Sequence, residues 1–163
     1  MAGTLFTLVS EQVVPIVLGA LYVLPEHMVY LCTDNERHHR NIDIVNEHLS
    51  SRFTFRSEKV LITPYDLDDN LRILRRLLAP KMPAYCNITG GTKLMAIAAF
   101  LAMQEKSVRM FYVDTDNKRF IVLGESTGDI SYDPIMGLRV MDFIRLTGAE
   151  VLQDQTTWFE REL

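Results

Sequence analysis

Short apolar runs alternate along this chain with stretches whose apolar residues recur at helical spacing, so strands and helices are predicted in turn. Thr4 to Val9 is a β-rich run that ends at Ser10, a turn or capping residue. Val13, Val14, Ile16, Val17, Ala20 and Leu21 then mark a helix, with Pro15 tolerated in its first turn. Met28 to Cys32 reads as a second buried strand, closed by Thr33-Asp34-Asn35. His39 to Leu49 places Ile42, Val45 and Leu49 on one helix face, and His38-His39-Arg40 reads as its solvated start. Val60 to Thr63 predicts a short third strand before Pro64. Asp66 then caps a helix with the stripe Leu67, Leu71, Leu74, Leu77 and Leu78. Arg72, Arg75 and Arg76 form its solvated face, and Pro80 and Pro83 end it.

Ala84 to Ile88 is a strand that runs directly into Thr89-Gly90-Gly91-Thr92-Lys93. Leu94 to Met103 is apolar nearly all round, the pattern of a helix packed deep against a sheet. Val108 to Val113 is a further strand, and Asp116-Asn117-Lys118 turns it into Arg119 to Leu123 as an antiparallel pair. The predicted fold is α/β and Rossmann-like, a mainly parallel sheet with helices on both faces and a C-terminal antiparallel strand or hairpin. Ligands in such sheets sit beyond the carboxyl ends of the strands. That rule singles out Ser10 to Val13, Thr33 to Arg37 and Asn87 to Lys93.

Composition narrows the ligand. The 163 residues suit one domain, and 48% apolar with 23% charged residues is ordinary for a globular protein. A net charge of −4 argues against gripping long nucleic acid by counterion release. A compact anion remains open, because a loop and a helix N-terminus hold phosphate without a basic surface. Cys32 and Cys86 read as small buried hydrophobes in a reduced compartment, and His27, His38, His39 and His48 lack zinc-ligand spacing, so no metal is expected. Val13 to Leu24 is interrupted by Pro15 and Gly19 and too short to span a bilayer, and the residues before it lack the basic region expected of a signal peptide. A cytoplasmic protein without a membrane partner is the expectation.

Asn87-Ile88-Thr89-Gly90-Gly91-Thr92-Lys93 carries the most chemistry. Paired glycines allow positive φ and a close backbone approach to a ligand. The next helix begins there, so its free N–H groups and partial positive charge face the same space. Thr89 and Thr92 add hydroxyls, Lys93 adds a full charge, and Asn87 either reads a base edge or holds the loop. A plain turn in which Thr92 merely caps the helix needs fewer donors than this. The spacing matches neither G-x-x-x-x-G-K-[ST] nor G-x-G-x-x-G, which disfavours an ATP hydrolase and an NAD enzyme.

The run Asn87-Ile88-Thr89-Gly90-Gly91-Thr92-Lys93-Leu94-Met95, with Phe111-Tyr112-Val113-Asp114-Thr115-Asp116 after it, resembles the CRISPR-associated Rossmann fold (CARF) family. It is similar to the branch found in CARF-fused nucleases and related type III CRISPR effectors. Leu8-Val9-Ser10-Glu11-Gln12 and Pro64-Tyr65-Asp66 also sit where that branch has similar residues, and the likeness covers roughly residues 4 to 125. The resemblance implies a homodimer that binds one ring of cyclic oligoadenylate, with cyclic tetra-adenylate favoured over hexa-adenylate. Thr89, Gly90, Gly91, Thr92 and Lys93 would then hold phosphates and ribose hydroxyls, while Ser10, Glu11, Gln12 and Thr33 line the pocket around the adenines. No further cofactor is implied. On this reading residues 1–137 form the ligand-binding domain, and residues 138–163 form a helical tail or the start of a linker to an effector domain. The chain is then either a piece of a longer fused protein or a stand-alone sensor.

Some CARF domains also cut their ring by attack of a ribose 2′-hydroxyl on the adjacent phosphate. A metal-independent ring nuclease is therefore one alternative, in which Lys93 stabilises charge and Thr92 or Ser10 orients the hydroxyl. No histidine falls in the three ligand loops to act as a base, which favours binding alone. A mononucleotide enzyme is another alternative, with Asp114 and Asp116 as acid–base candidates that otherwise read as turn formers. A transcription regulator is disfavoured by a tail whose basic residues are only Arg139, Arg145 and Arg161.

Overall fold

β1 (Thr4–Leu8) is buried along its whole length because it lies in the middle of a sheet. In the computed structural model, which describes residues 3–78, 84–124, 130, 131 and 146, it pairs in parallel with β2 (His27–Cys32) and β4 (Ala84–Asn87). β3 (Arg56–Leu61) extends the parallel sheet beside β2, and β5 (Arg109–Asp114) extends it beside β4. β6 (Arg119–Leu123) and β7 (Ile130–Ser131) then add antiparallel, giving the order β3-β2-β1-β4-β5-β6-β7.

The side-chain period of two explains the layers. Leu5 and Val9 join one apolar cluster with Ile16 and Val17 of α1 (Val14–Val23) and Ile42, Val45 and Leu49 of α2 (Glu36–Ser50). Phe6 and Leu8 join a second cluster with Leu71 and Leu74 of α3 (Leu67–Leu77) and Met95, Ala98 and Ala102 of α4 (Lys93–Gln104). Two helices cover each face, which is the Rossmann-like α/β arrangement with the expected antiparallel end. The helices change faces between the β1 and β4 crossovers, so the chain's outgoing loops diverge at that point and leave a crevice.

Three expectations need correction. The third strand is Arg56–Leu61 rather than 60–63, because β3 is an edge strand whose Arg-Ser-Glu-Lys start stands in solvent and shows no apolar alternation. α2 begins at Glu36, capped by Asn35, whose side chain accepts the Arg37 N–H at 2.8 Å. α4 is not enclosed all round, since Ile97 and Leu101 stay 46% and 38% exposed.

The hairpin turn at 115–118 is as expected, with Asp114 accepting from Asn117 and Arg119. Arg75 of α3 reaches Glu105 after α4, and Arg72 pairs with Asp69, so the arginine face is solvated and ion-paired. Leu146, from the predicted tail helix, is buried in the α1–α2 cluster. Met141, Phe143 and Ile144, the 137/138 boundary, and Pro80 and Pro83 lie outside the described residues. Among the described residues, no helix is long and apolar enough to cross a membrane, and no group of three or more His, Cys, Asp or Glu is placed to hold a metal.

Candidate functional site

β4 delivers its last residue, Asn87, into the interior, where it is 1% exposed. Its amide donates to the Pro15 carbonyl oxygen of α1 at 2.9 Å, and its Oδ1 accepts the Thr89 N–H and hydroxyl at 3.1 and 2.6 Å. The Thr89 hydroxyl in turn accepts the Val113 N–H of β5 at 2.8 Å. Leaving such buried groups unpaired would cost about 1–3 kcal/mol each, so these bonds fix how the chain leaves β4. Of the two roles left open for Asn87, these bonds fit holding the loop. Thr89 serves the same internal purpose.

Gly90 and Gly91 answer different demands. A Cβ on Gly90 would stand 2.4 Å from the Leu8 carbonyl oxygen and 3.3 Å from Ser10 Cβ, so only glycine lets this loop lie against the end of β1. Gly91 has φ +76°, the left-handed region that other residues occupy at about 1–2 kcal/mol. Thr92 is the N-cap of α4: its hydroxyl accepts the Met95 N–H at 3.2 Å and donates to the Pro64 carbonyl oxygen at 2.5 Å. The Thr92 hydroxyl has a single proton and gives it to Pro64, so what it has left to offer a ligand is acceptor capacity.

What remains free is the backbone. Among the described residues, the N–H groups of Gly90, Gly91 and Lys93 meet no internal acceptor. Lys93 is the first residue of α4, is exposed, and has neither an ion-pair partner among the described residues nor an acidic residue in that turn. Helix dipoles disfavour a cation at this end by about 0.3–1 kcal/mol, so helix stability does not account for the lysine. Free N–H groups and an unpaired ammonium group at the β1–β4 crevice are chemistry suited to an anion.

Across the crevice, the loop after β1 is held from α2. The Asn41 amide donates to the Ser10 carbonyl oxygen at 2.8 Å, and the Ser10 hydroxyl accepts the Gln12 N–H at 3.3 Å. Glu11 pairs with Arg37 at 2.8 Å, both largely exposed, and Gln12 is exposed. The Thr33 hydroxyl lies 3.0 Å from His38 Nδ1. A cleft of about 570 Å³ opens on this side, lined among others by Glu11, Asn35, Arg37, Arg40, Asn41 and Leu146.

Two of these residues escape the sequence reading. His38 is half-buried against Thr33 and His39 bonds Asp34 at 3.2 Å, so only Arg40 fits a solvated helix start. Positions 38, 42, 45 and 49 share one helical stripe, and that spacing is the signal that places His38 inward. Burial lowers the His38 pKa, Glu11 opposes that shift, and His39 and Arg37 reinforce it. Asn41 is a polar residue beside the same stripe, 7% exposed because its partner is a loop carbonyl. Of the two aspartates, Asp114 is engaged: Asn117, then Arg119, hold its carboxyl below the usual range, while Asp116 stands exposed in the turn.

The family model of the Card1 CARF domain matches residues 4–145, nearly the whole of this architecture. The chain belongs to that family. No curated protein sequence matches this CARF domain. Among solved structures it is similar to Can2 from Sulfobacillus thermosulfidooxidans in complex with cyclic tetra-adenylate, with a TM-score of 0.70 and 27% identity over 81% of this chain and 36% of that one. A type III CRISPR defence DNA nuclease activated by cyclic oligoadenylate shares the fold, with a TM-score of 0.68 and 23% identity over 90% of this chain and 23% of that one. Enterococcus italicus Csm6 bound to cyclic hexa-2′-fluoro-hexa-dAMP does so with a TM-score of 0.60 and 14% identity, over 94% of this chain and 39% of that one. The CARF domain thus spans well under half the length of each of these chains.

Proposed function

We propose that this CARF domain is the cyclic oligoadenylate sensor of a type III CRISPR ancillary effector, two copies of the chain binding one ring. The observation that carries this reading is the free backbone N–H row of Gly90, Gly91 and Lys93, with the unpaired Lys93 ammonium beside it, at the β1–β4 crevice. These groups suit phosphodiester oxygens. The clamped loop of Ser10, Glu11 and Gln12, together with Thr33, forms the opposite wall, where the adenosines would lie. A ring of identical units shares the two-fold axis of an isologous dimer, so each half meets the same loops. The Can2 complex supports cyclic tetra-adenylate as the ring to test first. An effector domain joined to the sensor accords with the greater length of the similar chains.

Binding without cleavage is the favoured reading, because no histidine falls within the three ligand loops to act as a base. The mononucleotide enzyme loses its better acid–base candidate, since Asp114 is occupied within the turn.

The test is calorimetric titration of the chain with cyclic tetra- and hexa-adenylate, followed by chromatography of the recovered ligand. One intact ring per two chains is the expected result, and Lys93→Ala should weaken binding at least about tenfold, of the order of one charge-assisted hydrogen bond, with the fold retained. Failure of both rings to bind would sink the sensor, and linearised product would make the domain a ring nuclease.

A further inference from the structure

We propose that Tyr65 is the base-stacking residue of this site, a platform for one purine of the nucleotide seated on the Gly-Gly loop. The proposal rests on the sensor reading and names a contact that it leaves open. Tyr65 is 78% exposed, the most exposed large apolar side chain among the described residues. The other described aromatic rings with defined partners, Tyr22, Phe111, Phe120, Phe53 and Phe55, pack on one another. Tyr112 is also exposed, at 41%, but stands within β5, opposite Ile121 of β6.

The backbone under Tyr65 is held more firmly than a surface turn requires. Asn70, fully buried, accepts the Thr63 N–H and hydroxyl at 2.8 and 3.1 Å and donates to the Thr63 carbonyl oxygen at 2.7 Å. Asp66 accepts the Asp69 N–H at 2.9 Å and so starts α3 directly after the tyrosine. Pro64 accepts the Thr92 hydroxyl at 2.5 Å, which ties this loop to the residue that precedes Lys93. A rigid segment therefore carries a solvent-exposed ring one residue from the tie to the start of α4. Phosphate at the Gly-Gly loop would bring one base of a half-ring to Tyr65, while the other lies against the wall of Ser10 and Thr33. A tyrosine offers a π-face at small entropic cost, and stacking accepts a purine without reading its edge.

Titrations of the full chain with cyclic tetra-adenylate and with AMP, on wild type, Tyr65→Ala and Tyr65→Phe, test this. Tyr65→Ala should weaken both nucleotides by about fivefold or more, the scale of one base–aromatic stack, while Tyr65→Phe stays within about twofold of wild type. Tyr65→Trp should show indole fluorescence quenched by the ring. Wild-type affinity in Tyr65→Ala, with an unchanged melting temperature, would overturn the platform and leave the sensor standing. AMP binding without ring binding would overturn the sensor, and the AMP series would then decide Tyr65 alone. Wild type binding neither nucleotide would overturn both.

Discussion

Lys93 and Gly90 show how single residues set this site. A cation in the first turn of α4 opposes the helix dipole, and the absence of an acidic neighbour in that turn leaves its charge uncompensated there. Gly90 is needed for space rather than for φ: its hydrogen lets the loop touch Leu8 and Ser10. Gly90→Ala drives a methyl group against a backbone carbonyl, which cannot move as a flexible side chain would. We expect a loss of stability of about 1–3 kcal/mol in urea denaturation and ring affinity reduced at least about tenfold. Wild-type behaviour in both measurements would show that the two loops need not be in contact. Asn87 and Thr89 act one step further back, since their bonds to Pro15 and Val113 hold the glycines where they are.

At the scale of the element, each ligand loop is fastened by a helix from elsewhere in the chain. α2 clamps the loop after β1 through Asn41 and Arg37 and the end of β2 through His38. The His38 pKa is lowered, first by burial, so the unfolded chain takes up a proton at the ordinary histidine value while the folded chain remains neutral. The unfolded state then binds more protons, and stability must fall as pH drops from about 6.5 through the folded value. Denaturation of wild type and His38→Asn at about pH 7 and about pH 5 should show a smaller loss in the variant. Equal losses would mean that this histidine is not the group responsible. α4 plays the complementary part, because Thr92 caps it and ties its start to Pro64, which couples the glycine loop to the Tyr65 segment.

Over the whole molecule, the sheet order brings these loops together. Parallel β1, β2, β3 and β4 all release their chain at one end, and helices that leave for opposite faces open the crevice between β1 and β4. A ligand seated there contacts groups that exist together only in the folded chain, so it must raise the melting temperature by mass action. Cyclic tetra-adenylate at about one hundred times its Kd should add about 2.7 kcal/mol per site, and Lys93→Ala should lose most of that shift at the same concentration. A thermal scan without any shift at saturating ring would place the ligand off this end of the sheet. The proposed dimer belongs to this scale too, because one chain supplies one set of loops and a ring of identical units would present its repeats to two.

Legibility followed burial. The strands β1, β2 and β4 announce themselves because both of their faces are covered, and α3 shows its leucine stripe because one of its faces is. β3 stays hidden, since an edge strand with a polar start lacks that contrast. The Gly-Gly-Thr-Lys run stands out as a candidate loop because glycine, a cap and a lysine are local chemistry, set by neighbours in sequence. Which of its groups face outward is not local. Asn87, Thr89 and Thr92 are satisfied by Pro15, Val113 and Pro64, distant in sequence, so only the folded arrangement shows that their side chains build the loop. The same holds for His38 against Thr33 and for the exposure of Tyr65. The sequence by itself determined the order of elements and the family, and it is the source of the proposed site. The tertiary structure decided which donors remain for a ligand, because a polar group's role depends on whether the fold has already given it a partner.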